Sequence, residues 1–180
     1  DLNGQYLTGE NEDRNPFLFS LPNGRLQAGE TRRLALTSSE AVSLTGLQCR
    51  FGFDPAALRI EQVASSALPD FNEACMNTQL LSKGQLAMVW VGGAGAPLAA
   101  GEPLLTFSVT ALRSVDLAQM LYLQADHLTP ECVFADGSTR RPELSWDKAS
   151  TAPTRIRLAP NPAKGVCYAP APEIQVPAKI

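Results

Sequence analysis

The stretch GLQCRFGFDP, Gly46 to Pro55, alternates apolar and polar side chains and then stops at a turn. Strand side chains point to opposite faces with a period of two, so Leu47, Cys49, Phe51 and Phe53 share one face while Gln48 and Arg50 fall on the other. Two further segments share this grammar. QLAMVWV, Gln85 to Val91, is an apolar run entered through Lys83 and Gly84, and PLLTFSV, Pro103 to Val109, alternates again behind Ala100, Gly101 and Glu102. Short strands set between turn residues are the pattern of a β-sandwich. The chain reads as a binding or scaffolding module before it reads as an enzyme.

Length agrees with one such domain. The 180 residues leave room for a sandwich of roughly 100–150 residues with short appendages, and not for a second full domain. Fifteen Lys and Arg against eighteen Asp and Glu give a net charge of -3. No basic stripe rises above that background, so a nucleic-acid partner lacks the phosphate-neutralising charge it would need. The pairs Arg32–Arg33 and Arg140–Arg141 read as decoration of solvent faces. No apolar run approaches the roughly 20 residues of a membrane span. The chain starts at Asp1 with neither Met nor a signal-like segment, and is read as a mature form or a piece of something longer.

Along the chain, residues 1–15 are polar and turn-prone and read as a leader or linker. Residues 16–148 carry the strands, and residues 149–180 hold five prolines from Pro160 to Pro177, too many for a central strand or a helix. Within the middle region, FLFSL from Phe17, the pair Asn23–Gly24 and Arg25–Gln27 look like a strand and tight hairpin. Asp54 to Val63 could open as a short helix behind Pro55, but the alternation of Leu58 and Ile60 favours a turn and a strand. Gly92 to Gly101 reads as a loop almost free of side chains. Strands at Gln119–Ala125 and Glu131–Ala135, a turn at Asp136–Gly137 and a strand at Arg140–Trp146 bring the total to about nine.

The residues of chemistry are sparse. His127 is the sole histidine and no Gly-x-Ser-x-Gly elbow is present, so a hydrolytic triad is not expected. Carboxylates such as Asp70 and Glu73 read as ordinary loop residues rather than a glycosidase pair. Asp1, Asn3, Glu10, Asn11, Glu12 and Asp13 are hard oxygen donors suited to calcium, yet their spacing departs from the Asp-x-Asp-x-Asp-Gly loop. They read as a solvated acidic linker, and no cofactor or metal is expected. Cys49, Cys75, Cys132 and Cys167 have no CxxC spacing. Cys49 reads as a core residue, while Cys75 and Cys132 sit near segment ends rich in Asn, Glu and Pro and are the first disulfide candidates. Trp90 reads as core. Trp146 could seal the core or stay exposed, and a visible row of stacking aromatics for sugar is lacking.

Taken in order, the strand entered through Gly29 and Glu30, the run Leu44 to Val63, the strand led by Gly84 and the strand led by Gly101 and Glu102 resemble a cohesin-type module. The resemblance covers about Phe17 to Asp147. It implies a nine-stranded jelly-roll sandwich used in extracellular protein assembly, and is nearest to the cohesin-like modules of large bacterial surface adhesins. Asp1-Leu2-Asn3-Gly4 is similar to the tail of a dockerin-like region that precedes such modules. Arg157 to Gly165, with Pro160, Asn161 and Pro162 at its centre, resembles the start of the C-terminal sorting domain of type IX secretion. Such domains continue for about 70 residues as a small sandwich, whereas this chain stops at Ile180.

The expectation is thus a noncatalytic, secreted or cell-surface module acting in adhesion or assembly. Its partner would be a dockerin-like or other surface protein, with the secretion machinery as partner of the tail. A carbohydrate-binding module with a polysaccharide partner is the alternative. A second is a filament subunit in which Ile174, Val176 and Ile180 add as a strand to the sheet edge of another copy.

Overall fold

The structure, a computed structural model, describes residues 15–126 and 128–147. These form thirteen β-segments: β1 Phe17–Pro22, β2 Arg25–Leu26, β3 Thr31–Ser38, β4 Val42–Phe53, β5 Leu58–Ala64, β6 Met76–Asn77, β7 Gln85–Leu98, β8 Pro103–Ala111, β9 Val115–Asp116, β10 Leu121–Gln124, β11 Glu131–Phe134, β12 Thr139–Arg140 and β13 Pro142–Asp147. Four of them, β2, β6, β9 and β12, are two-residue pieces, so nine strands of four residues or more carry the fold. Helix is confined to one turn, α1 Leu117–Met120, and two short 3₁₀ turns.

Two sheets pack face to face. The first runs β13-β1-β3-β8-β5 and the second β12-β11-β4-β7-β6, with β10 also paired to β4. Pairing is antiparallel throughout except for β1 and β13, which run parallel in register from Phe17 opposite Pro142 to Pro22 opposite Asp147. The core lies between the sheets because each strand buries alternate residues. On β8 Leu105, Phe107 and Val109 point inward and Thr106, Ser108 and Thr110 outward. On β4 Leu47, Cys49, Phe51 and Phe53 are buried, as the alternation requires. Phe51 of the second sheet meets Phe107 of the first edge-to-face, with ring centroids 5.0 Å apart, a geometry aromatic pairs favour.

Three readings of the sequence need correction. Asn23–Gly24 does not close a hairpin: β1 pairs with β13 and β3, while β2 pairs with β9. Nor is Gly92–Leu98 a loop. It continues β7, because Ala96 and Leu98 are buried and lie opposite Leu44 and Val42, beyond a register shift on β4 between Leu44 and Gly46. Glycine is needed within that stretch, since a Cβ on Gly92 would sit 2.3 Å from the buried Trp90 ring.

Arg140, third, is not solvent decoration. Its guanidinium lies over the rings of Phe17 and Phe134, donates to the carbonyls of Asn15 and Pro16, and pairs with Glu40 at 2.8 Å. It ties the start of β1 to β12. At Asp54–Ala57 the expected turn is present: the Asp54 carboxylate accepts from the Ala56 amide at 2.9 Å, and β5 follows.

Candidate functional site

The outward face of the second sheet is where alternation leaves apolar side chains in water. Along β7, Leu86, Met88 and Trp90 turn inward, so Val89 and Val91 turn out, exposed by 48% and 79%. Tyr122 on β10 is 49% exposed. Three of the five large exposed apolar side chains among the described residues therefore belong to one face; the others, Leu18 and Leu112, lie elsewhere. Val89 and Val91 adjoin on β7, and Tyr122 stands across β4 on β10, so the exposed apolar side chains flank both sides of β4.

Strand register sets the rest of the face in rows. Gly46 lies opposite Val91 and Val133, Gln48 opposite Val89 and Glu131, Arg50 opposite Ala87 and Gln124, and Gly52 opposite Gln85 and Tyr122. Two glycines flatten it. The Tyr122 ring covers Gly52, where a Cβ would come within 2.6 Å of it, and Val133 covers Gly46. The result is an aromatic-poor sheet surface with Arg50 in the row between those of Gln48 and Gly52.

Arg50 makes no hydrogen bond and no ion pair among the described residues, and its Nε is buried without a partner. The same is true of the Oε1 of Gln124, directly across the strand pair. Buried polar atoms are ordinarily satisfied. An orphaned donor and an orphaned acceptor side by side on an outward face mark a place for an incoming group. The face's acidic residue, Glu131, stands one row away and forms no salt bridge with Arg50 among the described residues.

The residues singled out from sequence fare differently. Cys75 and Cys132 are not brought together. Cys132 lies on β11 and Cys75 precedes β6, with β4 and β7 between them. That separation is about three strand spacings, roughly 14 Å, against a reach of about 7 Å for a disulfide. Both are free thiols, as is Cys49. Burial pushes the Cys132 thiol up to about 12 and drives that of Cys49 higher, with Cys132 beside it adding to the effect.

Trp90 is core and donates from Nε1 to the Pro69 carbonyl at 2.8 Å. Trp146 packs half-buried against the core. His127, the acidic run 1–13 and the Pro160–Asn161–Pro162 segment lie outside the described residues. Among the described residues no cluster of His, Cys, Asp and Glu could hold a metal, and no helix is long and apolar enough to cross a membrane.

Sequence reading missed Arg50, Gln124, Val89 and Val91 as site residues. Alternation did assign Arg50 to the outward face. Gln124 joins it only through the pairing of β10 with the far half of β4, and no local pattern signals that pairing.

No family model matches this chain, and no curated protein sequence matches it either. Solved structures do. The sixth cohesin of Acetivibrio cellulolyticus scaffoldin B, solved in complex with a Cel5 dockerin, is similar at TM-score 0.56 and 11% identity, over 73% of this chain and 95% of that one. The OlpA cohesin of Clostridium thermocellum, in a type I cohesin–dockerin complex, is similar at 0.55 and 8% identity over 72% and 94%. A non-cellulosomal cohesin from the archaeon Archaeoglobus fulgidus is similar at 0.52 and 12% over 72% and 86%. The fold of this chain is the jelly-roll β-sandwich of the cohesins.

Proposed function

We propose that this chain is a noncatalytic protein-binding module that docks its partner on the outward face of the second sheet, across β10 and β11, β4 and β7. The observation that carries the reading is that Val89, Val91 and Tyr122 all stand exposed on one sheet face that holds an unpartnered Arg50. A rigid sheet offers such a face without ordering cost, and an apolar surface rimmed by polar groups is a common feature of protein-binding sites. Dockerin is the partner in two of the similar structures, and a dockerin-like domain is the partner we assign here. Sugar binding is disfavoured by the same face, since among the described residues Tyr122 is the one exposed aromatic on it and forms no stacking row.

On this reading the module works outside the cell, in a secreted or surface-attached bacterial protein. The segment around Pro160, Asn161 and Pro162 serves as the start of a secretion sorting signal. The test is a pull-down from the native organism's extracellular fraction with the full chain as bait, with calcium and with chelator, beside a glycan array. A protein retained by the wild type and lost with Val91→Glu supports the module. Retention that ignores Val91→Glu overturns the docking face, and glycan capture without a protein partner overturns the function.

A further inference from the structure

Resting on the docking face just proposed, we infer that the partner inserts an acidic side chain over Arg50, so that a carboxylate from the partner completes the centre of the face. Arg50 is held by β4 between Gln124 on β10 and Ala87 on β7, and none of its five donors finds an acceptor among the described residues. Its Nε is shut off from water by the surrounding side chains. A guanidinium so placed has lost part of its hydration without replacement, a cost of the free state that an incoming carboxylate removes.

The neighbouring groups narrow the choice. Ala87 is apolar, and Asn77, next beyond it on β6, is neutral, so nothing on the β7 side answers the cation. The neighbouring acidic group, Glu131, lies a row away towards β11 and would repel an incoming acid there. The acid therefore approaches from the β7 side, between Arg50 and the Val89–Val91 strip. Gln124, its Oε1 unpaired and its amide nitrogen making no hydrogen bond among the described residues, can donate to the same carboxylate and accept from a neighbouring backbone amide of the partner. The partner segment this fits carries one Asp or Glu flanked by aliphatic side chains that cover Val89 and Val91.

The experiment pans a random peptide library displayed on phage against the immobilised full chain, against Arg50→Gln, against Arg50→Glu and against Val91→Glu, each variant checked by its thermal melt. Clones that need Val91 are the informative ones. The proposal expects these clones to share an Asp or Glu, to bind Arg50→Gln roughly thirtyfold or more weakly, and to be replaced by Lys- or Arg-bearing clones on Arg50→Glu. Val91-dependent clones without a shared acid, or with affinity unchanged on Arg50→Gln, overturn the acidic partner and leave the docking face standing. If no clone depends on Val91, the docking face itself fails and the inference with it.

Discussion

The ring of Tyr122 lies on Gly52 so closely that a Cβ at residue 52 would sit 2.6 Å from Cε2 and 2.7 Å from Cζ. Aromatic and glycine are cross-strand partners, and the missing side chain is the seat of the ring. Gly52→Ala must therefore lift Tyr122 off β4. Overpacking of this kind costs about 1–3 kcal/mol, and here it also disturbs the outward face of the second sheet. Urea denaturation should show that loss of stability, with Tyr122→Ala in the same chain restoring much of it. If Gly52→Ala is as stable as the wild type, the close seating is wrong.

Phe51 and Phe107 join the two sheets at their centre. Both rings are fully buried, so truncating either to Ala should cost about 3–5 kcal/mol. A double-mutant cycle should then find a coupling of about 0.5–1.5 kcal/mol from the edge-to-face contact alone. Strict additivity of the two losses would mean that the rings do not touch in solution.

Asp54 gives the fold an acid-sensitive corner. Its hydrogen bond from the Ala56 amide, and next its pairing with Arg113 at 2.9 Å, hold its carboxyl below the usual value of about 3.9. A carboxyl with a lowered folded pKa stabilises at pH values above its unfolded pKa, and that contribution is lost as pH falls through the folded value. Asn at this position keeps a capping oxygen but cannot ionise. Melting the wild type and Asp54→Asn side by side should show the wild type the more stable at neutral pH, with the gap narrowing as pH falls below the ordinary carboxyl value and through the lowered one. A gap that stays the same at both ends of the titration would rule this linkage out.

Cys49 and Cys132 sit on adjacent strands with no exposed surface, and burial keeps both in the thiol form. The thiolate is the reactive species. Alkylation followed by mass spectrometry should therefore label partly exposed Cys75 in the native chain, and Cys49 and Cys132 only as denaturant opens the sandwich. Labelling of all three at one rate in native buffer would show that the β4–β11 interior is open.

The legible part of this chain was the part written in side chains of strong character. Leu47, Cys49, Phe51 and Phe53 against Gln48 and Arg50 fixed which way β4 faces, and Leu58 and Ile60 after the Asp54 turn marked β5. Gly92 to Gly95 hid the continuation of β7 because glycine and alanine carry almost no periodic contrast; Ala96 and Leu98 alone betray it. The Asn23–Gly24 pair misled for another reason. A local turn preference is weak beside six residues of β1 paired with β13, a partner that lies far along the chain and leaves no mark near Asn23. The candidate face failed to announce itself on the same ground. Arg50 was placed outward by alternation, but its missing partner is a property of what β7 and β10 set beside it.

The parallel pairing of β1 with β13 also has a mechanical meaning. Chain leading into the sandwich joins it at Phe17, and chain leading away leaves at Asp147, from opposite ends of the same two-strand ribbon. Tension between those points runs along the strands, so the rungs from Phe17–Pro142 to Pro22–Asp147 share the load together and cannot open one by one like a zipper. Single-molecule stretching through the two ends, compared with stretching through a site that peels β13 from one end, would measure the difference. Pulled through its two ends, the sandwich is loaded in shear along this pair of strands rather than peeled apart.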